Sequence, residues 1–133
     1  MGHSPVRSYR ELRVWQTAMT LAAEVYRLTR AFPREERFGM TAQARQAAVS
    51  VAANIAEGYG RESLRDYIRF LRVAQGSLKE LETHLLLCIR VGLLDEAQAR
   101  SALESCDRLG RMIHRLIQAL RRWKAHHSPP GTA

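Results

Sequence analysis

The chain is short of everything that crosslinks, breaks or anchors a fold. Its 133 residues hold two cysteines, Cys88 and Cys106, with no C-x-x-C pair and no histidine at zinc-ligand spacing. Both fall on apolar helical positions, as small core residues of a chain in a reducing, cytoplasmic compartment. Prolines occur only at positions 5, 33, 129 and 130. Strand-like alternation is weak, and helical periodicity runs nearly throughout. No apolar run approaches the roughly 18 residues of a membrane-spanning helix, so no membrane partner is expected. The opening "MGHSPVRSYR" lacks the apolar stretch of a secretory signal, and Val6 stands where a myristoylation signal needs Ser or Thr.

Negative charge is also scarce. Against 21 Lys+Arg stand 13 Asp+Glu, a net charge of +8, and only Lys79 and Lys124 are lysines. An arginine-rich chain with pI near 10.5 suits a polyanion such as nucleic acid, or an anionic surface. With 46% hydrophobic residues it also has the means to build one real core.

Four helices are expected. The first spans about Tyr9 to Ala31, capped by Ser8 and Glu11 in an S-x-x-E box and stopped by Pro33. It carries two apolar stripes, roughly 110–120° apart. Leu12, Trp15, Met19, Ala22 and Tyr26 form one; Val14, Ala18, Leu21, Val25, Leu28 and Phe32 form the other. One stripe faces the core and the other needs a second cover. Spacing does not say which is which; Trp15, Met19, Ala22 and Tyr26 are the candidate oligomer interface. The second helix, about Thr41 (as N-cap) to Glu57, is alanine-rich, with a narrow polar line of Gln43, Gln46, Ser50, Asn54 and Glu57. The third spans about Leu64 to Val91, with Ser63 as cap and Gly92 as C′ residue. Its seam is Leu64, Tyr67, Leu71, Ala74, Leu78, Leu81, Leu85 and Cys88. The fourth spans about Glu96 to Trp123, capped by Asp95 and Gln98. Its seam is Ala99, Ala102, Cys106, Leu109, Ile113, Leu116, Leu120 and Trp123.

Short connections join helices two to three and three to four, which makes these neighbours antiparallel; the longer stretch 33–40 joins one to two. The fold class is therefore all-α, an antiparallel up-down four-helix bundle over residues 8–124, and the two stripes of the first helix with the alanine-rich second helix point to a homo-oligomer. Residues 1–7 and 125–133 read as tails.

Little in the sequence resembles a reaction centre. Glu80, Glu82 and His84 have neither the E-x-x-H spacing of a di-metal bundle nor a second copy. Ser50, Ser77 and Ser105 lack a nucleophile-elbow context, and thiols on core seams are inert. Neither enzyme activity, nor a metal, nor a cofactor is expected. "NIAEGYGR", residues 54–61, joins two helices and matches no phosphate loop, which needs a strand before it. It reads as a structural corner. Gly58 leaves the second helix in a left-handed conformation, Gly60 loosens the turn, and Asn54 and Glu57 hydrogen-bond the corner backbone or Arg61.

Two basic rows stand opposite the seams. Arg61, Arg65, Arg69, Arg72 and Lys79 lie along the third helix, and Arg108, Arg111, Arg115 and Arg122 along the fourth. Arginine grips phosphates bidentately, so these rows are the candidate nucleic-acid surface. Acidic neighbours tie down some of them, as in Asp107–Arg111.

The stretches "LRVWQTAMTLAAEVYRLTRAFPREERFGMTAQARQAAVSVAANIAEGYGR" and "FLRVAQGSLKELETHLLL" resemble the bacterial four-helix bundle family, also called 23S ribosomal RNA intervening-sequence proteins. The likeness covers about residues 9–123. One departure is Ala52, where many relatives have proline, which implies a straighter second helix. The resemblance implies an antiparallel bundle assembling as a ring-like homopentamer. It also implies a distant kinship with accessory proteins of diversity-generating retroelements, which bind a reverse transcriptase and nucleic acid. The family supplies no catalytic residues to carry over.

Overall fold

Capping chemistry decides where the helices begin and end. The structure, a computed structural model, describes residues 7–127; the outer parts of both expected tails lie outside them. Four α-helices carry the chain: α1 Arg13–Thr29, α2 Met40–Tyr59, α3 Leu64–Arg90 and α4 Glu96–His127. Among the described residues there is no strand, and no helix is long and apolar enough to cross a membrane.

The S-x-x-E box at Ser8 caps a single 3-10 turn, Tyr9–Glu11, and not α1 itself. Ser8 Oγ accepts from the Arg10 N–H at 3.2 Å and the Glu11 carboxylate accepts from the Arg7 N–H at 3.2 Å. Leu12, extended at φ −71° and ψ 128°, separates this turn from α1. The expected first helix is thus two pieces. A second 3-10 turn, Arg34–Glu36, leads into α2. There Gly39 takes the N-cap position expected of Thr41, and Glu36 Oε1 accepts from the Met40 N–H at 3.1 Å. A carboxylate one turn back does the hydroxyl's work, so Thr41 lies inside the helix.

The corner after α2 also differs from expectation. Gly58 is not left-handed; α2 runs through it to Tyr59, and Gly60 caps the helix at φ −78°. Gly58 is there because α3 comes close: a Cβ on it would stand 2.7 Å from Phe70 Cβ and 3.2 Å from Tyr67 Cδ1. Ser63 caps α3 as expected, accepting from the Asp66 N–H at 3.1 Å. Gly92, at φ +83°, ends it. Its N–H donates to the Ile89 carbonyl at 3.2 Å and the Leu93 N–H donates to the Cys88 carbonyl at 2.9 Å, a Schellman pattern. Asp95 and Gln98 cap α4 reciprocally, at 2.7 and 2.9 Å.

The helices pack as a square. α1 and α3 each touch α2 and α4, and the diagonal pairs do not meet. Contacts fix the directions. Ser50 of α2 meets Ser77 of α3 while Gly58 meets Phe70. Val14 faces Met112 where Thr20 faces Ser105. Each adjacent pair is antiparallel. The core holds Leu21, Val25, Val51, Ile55, Leu71, Leu78, Leu81, Leu85, Leu109, Ile113 and Ile117, each at most 1% exposed. Burying such a side chain contributes about 1.5–3 kcal/mol.

The core settles which stripe of α1 faces inward. Val14, Ala18, Leu21 and Val25 are buried; Met19 and Tyr26 are 46% and 39% exposed. Ala22, assigned to the outer stripe, is itself buried at 8%. On α4 the expected seam holds through Ile113 and then shifts. Ile117 is buried, Leu116 and Leu120 are half-buried, and Trp123 is 55% exposed. An α-helix of 3.6 residues per turn drifts away from a strict heptad. α4 also has 32 residues against 17 in α1, so its last turns outrun the helix beside it.

Candidate nucleic-acid interface

The basic residues of α3 and α4 project outward because the seams occupy the opposite sides of both helices. Arg61, Arg65, Arg69, Arg72, Lys79, Arg108, Arg111, Arg115 and Arg122 are all exposed. Their pairing divides them. Arg61 pairs with Glu57 at 2.9 Å, Arg69 with Asp66 at 3.6 Å, Lys79 with Glu82 at 3.3 Å, and Arg111 with Asp107. Arg65, Arg72, Arg108, Arg115 and Arg122 form no ion pair among the described residues. Exposed pairs contribute only about 0–1 kcal/mol, so even the paired members exchange partners readily for an anion.

The rows do not form one flat sheet of charge. Lys79, Arg111 and Arg115 converge on a groove of about 550 Å³ between α3 and α4. Leu78 and Gly110 form its floor, and Gln75, Asp107 and His114 complete its rim. Arg108 instead turns toward α1, where it shares a second groove with Arg13 and Arg115. Arg61 and Arg69 stack on the ring of Phe70 from 4.7 Å each, so this aromatic ring organises the N-terminal end of the α3 row.

Sequence reading missed Arg13, Gln75 and His114. Arg13 belongs to neither apolar stripe of its helix, and only the packing of α1 on α4 brings it to Arg108. His114 falls between the seam and the arginine row, a position that periodicity treats as neutral.

The corner residues behave differently from one another. Glu57 holds Arg61, as expected. Asn54 reaches neither the corner backbone nor Arg61. Its Nδ2 donates to the Ser50 carbonyl at 2.8 Å and lies 3.0 Å from Ser50 Oγ. Ser50 Oγ in turn lies 2.8 Å from Ser77 Oγ. Within the polar line of α2, Ser50 therefore ties α2 to α3, and Asn54 braces it from within α2.

The other notable surface lies on α1 and α2. Trp15, Met19, Ala22 and Tyr26 line a groove of about 420 Å³ with Val49, Ala52, Ala53 and Ala56. The groove continues past Tyr26 and Val49 toward Phe38, which is 88% exposed. Arg45, the one charged residue on the alanine helix ahead of Glu57, is accounted for here. Its Nε donates to Thr29 Oγ1 at 2.8 Å, and its guanidinium lies 4.5 Å from the Tyr26 ring centre. Thr29 is the buried polar residue of α1, and its hydroxyl donates to the Val25 carbonyl at 2.8 Å.

Both cysteines are free thiols buried in the core. Burial pushes the Cys106 thiol up to about 12, helped by Glu82 and Glu24, and raises Cys88 as well, with Glu36 adding to it. Neutral thiols of this kind are poor nucleophiles. Among the described residues no group of three or more His, Cys, Asp or Glu is placed to hold a metal.

Fold and surface together define a basic, all-helical, antiparallel four-helix bundle. The model of the 23S rRNA-intervening sequence protein family matches residues 10–115, and the chain belongs to that family. Among solved structures it is similar to a protein of unknown function from the S23 ribosomal protein family of Bacteroides thetaiotaomicron. That similarity has a TM-score of 0.71 at 23% identity, covering 78% of this chain and 97% of the other, and it speaks for the fold. No curated protein matches the chain.

Proposed function

We propose that the protein is a non-enzymatic module that binds nucleic acid, structured RNA first, through the arginine faces of α3 and α4. One observation carries this reading. Arg65, Arg72, Arg108, Arg115 and Arg122 stand on two adjacent antiparallel helices without a carboxylate partner among the described residues. Such rows follow a phosphate backbone by charge and bidentate hydrogen bonding, with no need to read bases. The family's description, which refers to an intervening sequence of 23S rRNA, supports RNA as the first ligand to try.

Copies of the chain associate through the α1–α2 face, which supplies the cover that Met19, Tyr26 and Phe38 lack. A ring of copies repeats a modest basic patch, and repetition raises avidity by effective concentration.

Mobility-shift titration of a structured RNA hairpin across a salt series tests the binding. The expected result is a steep fall in affinity with salt, at about 0.7–0.9 log units per log unit of salt for each phosphate contacted. Reversing Arg65, Arg69 and Arg72 to Glu is expected to lower affinity by about a hundredfold or more. Unchanged binding by that triple variant would remove α3 from the interface.

A further inference from the structure

Two grooves flank α4, and their charge balance differs. The α3–α4 groove contains Asp107, which pairs with Arg111, and its Lys79 is held by Glu82. The α1–α4 groove, about 400 Å³, is lined by Arg13, Arg108 and Arg115 over Val14 and Met112. A separate, smaller depression, with Thr17, Thr20 and Ser105, lies on the other side of Arg108. No carboxylate lines either one. None of the three arginines forms an ion pair among the described residues.

Arg13 is also in a costly place. It is the first residue of α1, whose first turn has no acidic residue. A helix start carries a partial positive charge and disfavours a cation. Three guanidiniums and a helix start therefore add to one positive field, and no carboxylate in the groove offsets it. Hydroxyls line the neighbouring depression. Thr20 Oγ1 donates to the Gln16 carbonyl at 3.1 Å. The Thr17 and Ser105 hydroxyls make no hydrogen bond among the described residues, and both stay free to donate.

We infer that the α1–α4 groove is a phosphate-binding site, in which Arg13, Arg108 and Arg115 hold the oxyanion. Guanidinium forks match phosphate oxygens bidentately, and the apolar floor of Val14 and Met112 limits water on one side. The source of the phosphate rests on the nucleic-acid reading above: a backbone phosphate of a strand lying along α4. A free polyphosphate offers the same chemistry. The site makes α4, rather than the α3–α4 groove, the axis of the anion-binding surface.

The test compares Arg13→Gln with Arg100→Gln, which removes the same charge from an exposed position of α4 outside both grooves. An RNA hairpin is titrated over a salt series by fluorescence anisotropy, and inorganic pyrophosphate by calorimetry. Arg13→Gln is expected to weaken hairpin binding about tenfold at low salt and to flatten the salt slope by about one, with Arg100→Gln close to the parent. Equal behaviour of the two variants overturns the site while leaving the nucleic-acid reading intact. A parent protein that ignores the hairpin but binds pyrophosphate in an Arg13-dependent way overturns the nucleic-acid reading and keeps the site, for free phosphates. Binding of neither ligand overturns both. Arg13 lies outside the core and its charge opposes the start of α1, so melting should hold or rise slightly; should it fall, Arg108→Gln supplies the same comparison from the other helix.

Discussion

Gly58 of α2 lies so close to Phe70 of α3 that a Cβ on the glycine would stand 2.7 Å from the phenylalanine Cβ. The obstacle is the root of a side chain, which moves only if the helix moves. Gly58→Ala therefore gains helix propensity, about 1 kcal/mol, and loses more by overpacking, about 1–3 kcal/mol. Gly76 is the matched control. It sits within α3, and a methyl group there would meet nothing within 4 Å. Gly76→Ala is expected to stabilise by about 0.5–1 kcal/mol. Thermal melts of the two variants should move in opposite directions; a shared direction would mean that the α2–α3 contact is not tight.

The hydrogen-bonded tie from Asn54 through Ser50 to Ser77 predicts two losses of similar size and different kind. Ser77→Ala leaves Ser50 Oγ without its cross-helix partner and should cost about 0.5–1.5 kcal/mol. Asn54→Ala removes two contacts within α2 and none to α3, and should cost a similar amount without loosening the pair. Urea denaturation gives the energies. Amide exchange at the facing stretches of α2 and α3 tells whether only Ser77→Ala opens the interface.

Alkaline pH should weaken the fold. Burial pushes Cys106 from 9.0 to about 12, and burial with Tyr59 nearby pushes Tyr67 from 10.0 to about 12. In both cases the folded chain keeps a proton that the unfolded chain gives up. This contribution is fully present below about pH 9 and is lost as pH rises toward 12. Cys106→Ala should flatten the lower part of that decline, although it leaves a small cavity. Thiol-labelling reagents should leave Cys88 and Cys106 untouched in the native protein at neutral pH and modify both after denaturation.

Self-association should depend on the outer stripe of α1. Met19→Glu puts a charge into the groove beside Val49 and Ala53, at a position already 46% exposed. The substitution should spare the monomer fold, read by circular dichroism, and reduce the mass read by light scattering to that of one 15.1 kDa chain. An unchanged mass for Met19→Glu, or a parent protein that is already monomeric, would refute the α1–α2 face as the contact.

Local sequence is enough to place the four helices and three of their ends, both ends of α3 and the start of α4. Period-3.6 patterning needs only local geometry, and Ser63, Gly92 and the Asp95–Gln98 pair satisfy helix ends within a few residues of themselves. The arginine rows are equally legible, because a row opposite a seam must face outward. Whatever depends on a second helix is settled by packing. Gly58 has the sequence context of a turn residue and is a close-contact residue instead, since the reason for its missing side chain lies on α3. Trp123 continues the seam of α4 by periodicity, yet is exposed because α4 runs past the end of α1. Either stripe of α1 fits a core until α2 and α4 pack against one of them. Arg13 lies far from Arg108 and Arg115 along the chain, and only the antiparallel packing of α1 on α4 gathers the three into one uncompensated groove.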